Sequence, residues 1–309
     1  MALSSREAPT SPRFTLRTIL VATDGTPEAH VAVDAAADLA KRSGAALHLM
    51  NAFHLAPAVA YGYSAYIGPE DLSGAFEWDS RTLLDAEKAR VEARGVTVSG
   101  TYSEQGPVFD AVSDIAGAVD ADLIVVGSRE LSGLKALLVG SASAHVLHSA
   151  HRPVLIVRGG PECWPPAQVI AGYDRSEVSA RAAGIAAAIA CLYGVTMTMV
   201  EVVADAAMEG EQPSGEPGAL GLEHSRLDEE AERLTEAVGT PVVATLAVGD
   251  PADAMLARTQ GRQGSSLVAV GTRGLGPVRR FLLGSVSTRI LHSGHSPLLV
   301  VPPVRRPAP

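Results

Sequence analysis

At 309 residues the chain is long for one core and comfortable for two domains of about 150 residues each. Its 47% apolar and 19% charged content excludes a disordered polymer, and a net charge of −9 with no evident basic stripe excludes a nucleic-acid surface. Cys163 and Cys191, the two cysteines, stand at no metal-ligand spacing and read as free thiols of a reducing compartment. Residues 1–13 are polar and contain proline, so they are expected to be disordered, and they lack the apolar segment of a secretory signal. Residues 18–24 form a short apolar strand ending in Asp24, and Gly25-Thr26-Pro27 turns into an Ala-rich helix that stops near Gly44. A strand over 46–53, an irregular stretch over 55–79 and a charged helix over 81–94 follow. Next come a strand over 96–102, a helix over 107–119, a doubly buried strand over 122–127, a helix over 141–149 and a strand over 153–157.

Then the pattern restarts. Residues 169–174 (VIAGYD) match 19–24, and the same succession of elements leads through a loop at 204–221 and a charged helix at 222–238 to a strand at 297–301. From 127–157 to 271–301 the offset is a constant 144 residues, and about 14 of 31 aligned positions are identical, which marks a duplication. Residues 159–166, GGPECWPP, read as a linker between domains at 14–158 and 167–302. Residues 182–200 carry no charge over 19 positions, but they are mostly alanine and broken by Gly184 and Gly194. They read as a buried helix running into a buried strand rather than a membrane span.

Each copy alternates strands and helices, which implies parallel pairing, right-handed crossovers and helices on both faces. Ligands of such sheets bind beyond the carboxyl ends of the strands, where strand order reverses. The residues at those ends are Asp24, Phe53 and Gly127 in the first copy and Asp174, Val203 and Gly271 in the second. From Gly271 the sequence GTRGLGPVRRFLLGSVS runs as a glycine turn, a basic segment and a helix opening at Gly284-Ser285. Glycine permits positive φ and close backbone approach, and unpaired N–H groups at a helix start attract phosphate. Arg273, Arg279 and Arg280 add positive charge.

These residues resemble the universal stress protein family. The resemblance is carried by VATDGTPEA and AGYDRSEVS, by GSRELSGLKALLVGSAS and GTRGLGPVRRFLLGSVS, and by VLHSAHRPVLIV and ILHSGHSPLLVV. It covers residues from about 16 to 302 and matches the tandem, two-domain form of the ATP-binding branch. What it implies is a pair of Rossmann-like domains of the adenine nucleotide alpha hydrolase-like kind, each a five-stranded parallel sheet of order 3-2-1-4-5. It further implies ATP, with Mg2+ on the phosphates, and last strands that pair the copies as an internal pseudo-dimer; a homodimer is left open. In the second copy the implied nucleotide-binding positions are Gly172, Asp174, Val202, Gly271, Arg273, Gly274, Gly284, Ser285, Val286 and Ser287. In the first they are Ala22, Asp24, Ala52, Gly127, Arg129, Gly140, Ser141, Ala142 and Ser143. Glu130 replaces Gly274 in the first copy, where its charge would oppose the phosphates unless a metal screens it or the side chain turns to solvent.

Other motifs carry less. His145, His148 and His151 recur only as His292 and His295, with Arg289 at the remaining position, so structural roles are favoured over a metal site. Ser132 and Lys135 fit S-x-x-K without its companion motifs, and no P-loop occurs. The expected function is a nucleotide-dependent regulator of the stress response, cytoplasmic, in contact with neither nucleic acid nor membrane. Abundant alanine and arginine point to a GC-rich bacterial genome. Two alternatives stay open: a slow ATP hydrolase or nucleotide-dependent transferase, and a structural dimerisation module that binds nothing.

Overall fold

The computed structural model describes residues 14–53, 69–128, 151–203, 219–260, 265–272 and 285–304. The first half runs β1 (Thr18–Ala22), α1 (Pro27–Ser43), β2 (Ala46–Phe53), α2 (Pro69–Glu92), β3 (Val98–Gln105), α3 (Val108–Ala118), β4 (Leu123–Gly127) and β5 (Val154–Val157). The second runs β6 (Pro166–Tyr173), α4 (Glu177–Tyr193), β7 (Met197–Val203), α5 (Ala219–Val238), β8 (Val242–Val248), α6 (Pro251–Ala257), β9 (Ser265–Gly271), α7 (Ser285–Ser293) and β10 (Leu298–Val301). One turn of 3-10 helix, Pro161–Cys163, joins them.

All ten strands form one sheet in the order β3-β2-β1-β4-β5-β10-β9-β6-β7-β8. Within each half the pairing is parallel and the order is 3-2-1-4-5, as the alternation of elements and the resemblance imply. The halves meet where β5 pairs antiparallel with β10, Leu155 opposite Leu299, flanked by Val154–Val300 and Ile156–Leu298. Equivalent residues lie symmetrically about Leu155 and Leu299, the geometry of a two-fold contact folded into one polypeptide. All eight residues of these two strands are buried. Fully burying a side chain of this size stabilises by about 1.5–3 kcal/mol, so the seam is a core in its own right.

Local signals set the helices that flank the strand ends. Thr26 caps α1 by accepting from Ala29 N at 3.3 Å, Pro27 opens the helix, and Gly44 closes it at φ 74°. Ser176 and Gly194 repeat the device on α4. Both helices present alanines to the sheet (Ala32, Ala35 and Ala36; Ala182, Ala183, Ala186 and Ala187), which lets their backbones approach closely. The uncharged run at 182–200 is therefore α4 leading into β7 beneath the surface, and among the described residues no helix is long and apolar enough to cross a membrane.

Several boundaries differ from expectation: β3 spans Val98–Gln105 rather than 96–102, and β6 begins at Pro166, the last residue of the expected linker. Helix α2 begins at Pro69, inside the stretch read as irregular to residue 79, and α5 begins at Ala219, inside the loop read to 221. Leu84 and Val91 of α2, and Leu227 and Leu234 of α5, reach the core. The helix expected over 141–149 lies outside the described residues.

Candidate functional site

The register brings the expected residues to adjacent strand ends. Ala22 pairs with Met50 on one side and Val126 on the other, so Asp24 comes level with Ala52 and beside Gly127. In the second half Tyr173 pairs with Glu201, which sets Asp174 level with Val202, and Gly271 ends the neighbouring β9. These ends flank the point of strand-order reversal between β1 and β4, and between β6 and β9. Ser285, Val286 and Ser287 form the first turn of α7. Arg129, Glu130, Gly140, Ser141, Ala142, Ser143, Arg273, Gly274 and Gly284 lie outside the described residues, as do His145, His148 and the pair Ser132 and Lys135.

Both aspartates are solvent-exposed and shape the turn that starts a helix. Asp24 Oδ1 accepts from Thr26 N at 3.1 Å and Thr26 Oγ1 at 2.6 Å. Asp174 Oδ1 accepts from Ser176 N at 3.1 Å and Ser176 Oγ at 2.6 Å. The hydroxyl that each aspartate orients is the helix cap, so the carboxylate is presented at the strand end in one orientation.

The glycines have a packing reason. A Cβ on Gly127 would lie 2.8 Å from Glu28 O and 3.1 Å from Ala29 Cα. One on Gly271 would lie 2.9 Å from Val178 Cγ1 and 3.1 Å from Ser179 N. Neither has the positive φ that the sequence allows for a glycine turn at 271; what requires glycine there is the first turn of α1 or α4 lying directly on the strand end. Gly172 faces α6, where a Cβ would meet Met255 Sδ at 2.9 Å. The first half exchanges these volumes, with Ala22 and Ala111 at the equivalent positions.

Charge separates the two sites. Arg175 holds the left-handed conformation, φ 62°, at the position of Gly25. Its guanidinium donates to Glu201, Nε to Oε1 at 2.9 Å and Nη2 to Oε2 at 3.1 Å, and also pairs with Glu223 on α5. The hydrogen bond to Glu201 leads the causes that raise the pKa of Arg175. Next to it, burial first and then the charges of Glu230 and Glu201 push the Tyr173 phenol up. The first half has the neutral Asn51 where Glu201 stands, and its Nδ2 donates to Thr23 O at 2.7 Å. Sequence reasoning missed this network; the available signal was a glutamate inside the otherwise apolar strand MTMVEVV.

The histidines expected to be structural are only partly described, but Arg289, at the position of His145, pairs with Asp250 at 2.9 Å and Asp253 at 2.8 Å. Among the described residues no group of three His, Cys, Asp or Glu is placed to hold a metal. A groove of about 510 Å3 runs along α1 against the inter-domain segment, lined by His30, Asp34, Asp38, Arg42 and Trp164. It is the docking seam of the halves rather than a strand-end site: Trp164 Nε1 donates to Asp38 Oδ2 at 3.2 Å, and Tyr193 of α4 donates to the same oxygen at 2.7 Å.

Fold and strand-end geometry thus define a tandem pair of Rossmann-like α/β domains sharing one sheet. The sequence model described as the universal stress protein family matches residues 15–158 and again 167–302. The chain belongs to the universal stress protein family. It is 30% identical over 298 residues to a universal stress protein of Mycolicibacterium smegmatis, covering 92% of this chain and 97% of that one. A universal stress protein of Mycobacterium tuberculosis is 28% identical over 294 residues, covering 91% and 95%. Among solved structures, a universal stress protein from Archaeoglobus fulgidus superposes with a TM-score of 0.67 at 20% identity, over 93% of this chain and 98% of that one.

Proposed function

We propose that the protein is an ATP-binding regulator whose nucleotide occupancy biases its conformation or assembly during stress. The observation that carries this reading is the placement, twice in one sheet, of an exposed turn-forming aspartate level with Ala52 or Val202 and next to a glycine-ended fourth strand. An acceptor at the first strand end and backbone groups of the second suit a purine nucleoside. The start of α7, with Ser285 exposed, supplies N–H groups and a positive dipole end for phosphates. Mg2+ would enter with the phosphates rather than on a protein cage.

The test is calorimetric titration of the full chain with Mg-ATP, together with chromatography of any nucleotide released on denaturation. Asp174→Ala is expected to weaken the second site and Asp24→Ala the first, each by about tenfold, the loss of one charge-assisted hydrogen bond. No nucleotide on the purified protein and no binding of added Mg-ATP would overturn the reading.

A further inference from the structure

Arg158 follows β5 in the first half, but its guanidinium is spent on the second. It is buried, and it donates from Nε to Ser296 O at 2.5 Å, from Nη1 to Leu291 O at 2.7 Å and from Nη2 to Ile290 O at 3.0 Å. Ile290 and Leu291 lie in the last turn of α7, where a cation complements the dipole; Ile290 O accepts from Gly294 N at 2.9 Å as well as from Arg158.

Gly294 makes room for this contact. A Cβ at that position would fall 3.0 Å from Arg158 Nη2 and 2.9 Å from Ile290 O, and the first half carries Ala150 there. The position equivalent to Arg158 is Pro302, which has no side-chain donor; its carbonyl instead accepts from Arg181 Nη1 at 2.8 Å. Arg158 also continues directly from Val157, whose carbonyl accepts from Ser128 N at 2.9 Å at the end of β4, the strand-end site of the first half.

We propose that Arg158 is a positioning residue for the second nucleotide site, through which the first half holds the helix whose opposite end receives the phosphates. The inference rests on the nucleotide reading above and deepens it: affinity at the second site depends on docking of the first half. α7 is nine residues long, too short to be stable by itself, so its register depends on what anchors its last turn.

The experiment compares Arg158→Met, Arg158→Lys and Gly294→Ala with wild type in the full chain. It reads hydrogen exchange across 285–295 together with Mg-ATP affinity, and repeats the titration in a Ser285→Glu background that blocks the second site. Arg158→Met is expected to speed exchange in α7 and weaken the second site by about tenfold or more, with Arg158→Lys intermediate. Gly294→Ala crowds the same guanidinium without changing charge, and is expected to act in the same direction. Binding left in the Ser285→Glu background, which belongs to the first site, stays unchanged. Faster α7 exchange with second-site affinity retained within twofold overturns the proposal, and so does unaltered exchange. Absence of ATP binding by wild type removes the nucleotide reading itself, and the exchange data then report only whether Arg158 anchors α7. Should Arg158→Met fail to fold, Arg158→Lys and Gly294→Ala carry the same comparison.

Discussion

Replacing Gly127 or Gly271 by alanine separates a packing role from a ligand role. The added methyl at 127 meets a carbonyl oxygen at 2.8 Å and a Cα at 3.1 Å, both backbone, so no rotamer change relieves it and α1 must move off the strand by several tenths of an ångström. At 271 the nearest atoms are Val178 Cγ1 at 2.9 Å and, on the backbone, Ser179 N and Val178 C, both at 3.1 Å. Overpacking of this kind costs about 1–3 kcal/mol, with Gly127→Ala towards the upper end. At about 2–4 °C per kcal/mol for domains of this size, the melting temperature of the nucleotide-free protein should fall by about 2–12 °C. Differential scanning calorimetry without nucleotide is the assay, with both single variants and the double. Unchanged melting of Gly127→Ala would refute the packing argument and return that glycine to a purely ligand-facing role.

The charged clamp offers a second check. Arg175→Gly relieves a left-handed arginine worth about 1–2 kcal/mol but strips the largely buried Glu201 of its partner, so chemical denaturation should show net destabilisation. Adding Glu201→Asn recreates the Gly25 and Asn51 pairing of the first half and should recover most of the loss; a double variant as unstable as the single would sink this account. At the seam, Asp38→Ala removes the shared acceptor of Trp164 and Tyr193 and should cost about 1–3 kcal/mol, read as a lower denaturation midpoint. Burial, with the bond to Asp38 second, pushes the Tyr193 phenol far above its usual range near 10. Its raised pKa contributes stability that is complete below pH about 10 and is lost as pH rises beyond it. Spectrophotometric titration of wild type against Tyr193→Phe should assign to Tyr193 a tyrosine still protonated until the protein unfolds, and its early ionisation would contradict the buried hydroxyl.

The alternation of strands and helices, their duplication and the turn into α1 were legible because each is a local pattern. Apolar runs such as LIVVG mark doubly buried strands, and Thr26-Pro27 marks a helix start, whatever the rest of the chain does. Asp24 and Asp174 could be placed at strand ends by the same logic. The starts of α2 and α5 were not legible, since Gly68-Pro69 and Gly74, and Pro217-Gly218 and Gly221, are residues that mark loops.

Only the tertiary structure decided who meets whom. VLIV and LLVV announce two buried strands equally well; that β5 and β10 pair with each other was implied by the family resemblance and is observed, but no local pattern carries it. The sequence offered phosphate approach as the reason for Gly271, while the folded chain supplies Val178 and Ser179 of α4 as its immediate neighbours. Arg158 reaches carbonyls more than 130 positions away, and Arg175 finds Glu201 across the end of the sheet. Periodicity reports which face of an element is buried, because burial repeats every two or 3.6 residues. The partner on the far side of that face is set by how whole elements dock, and this leaves no mark in the spacing of either one.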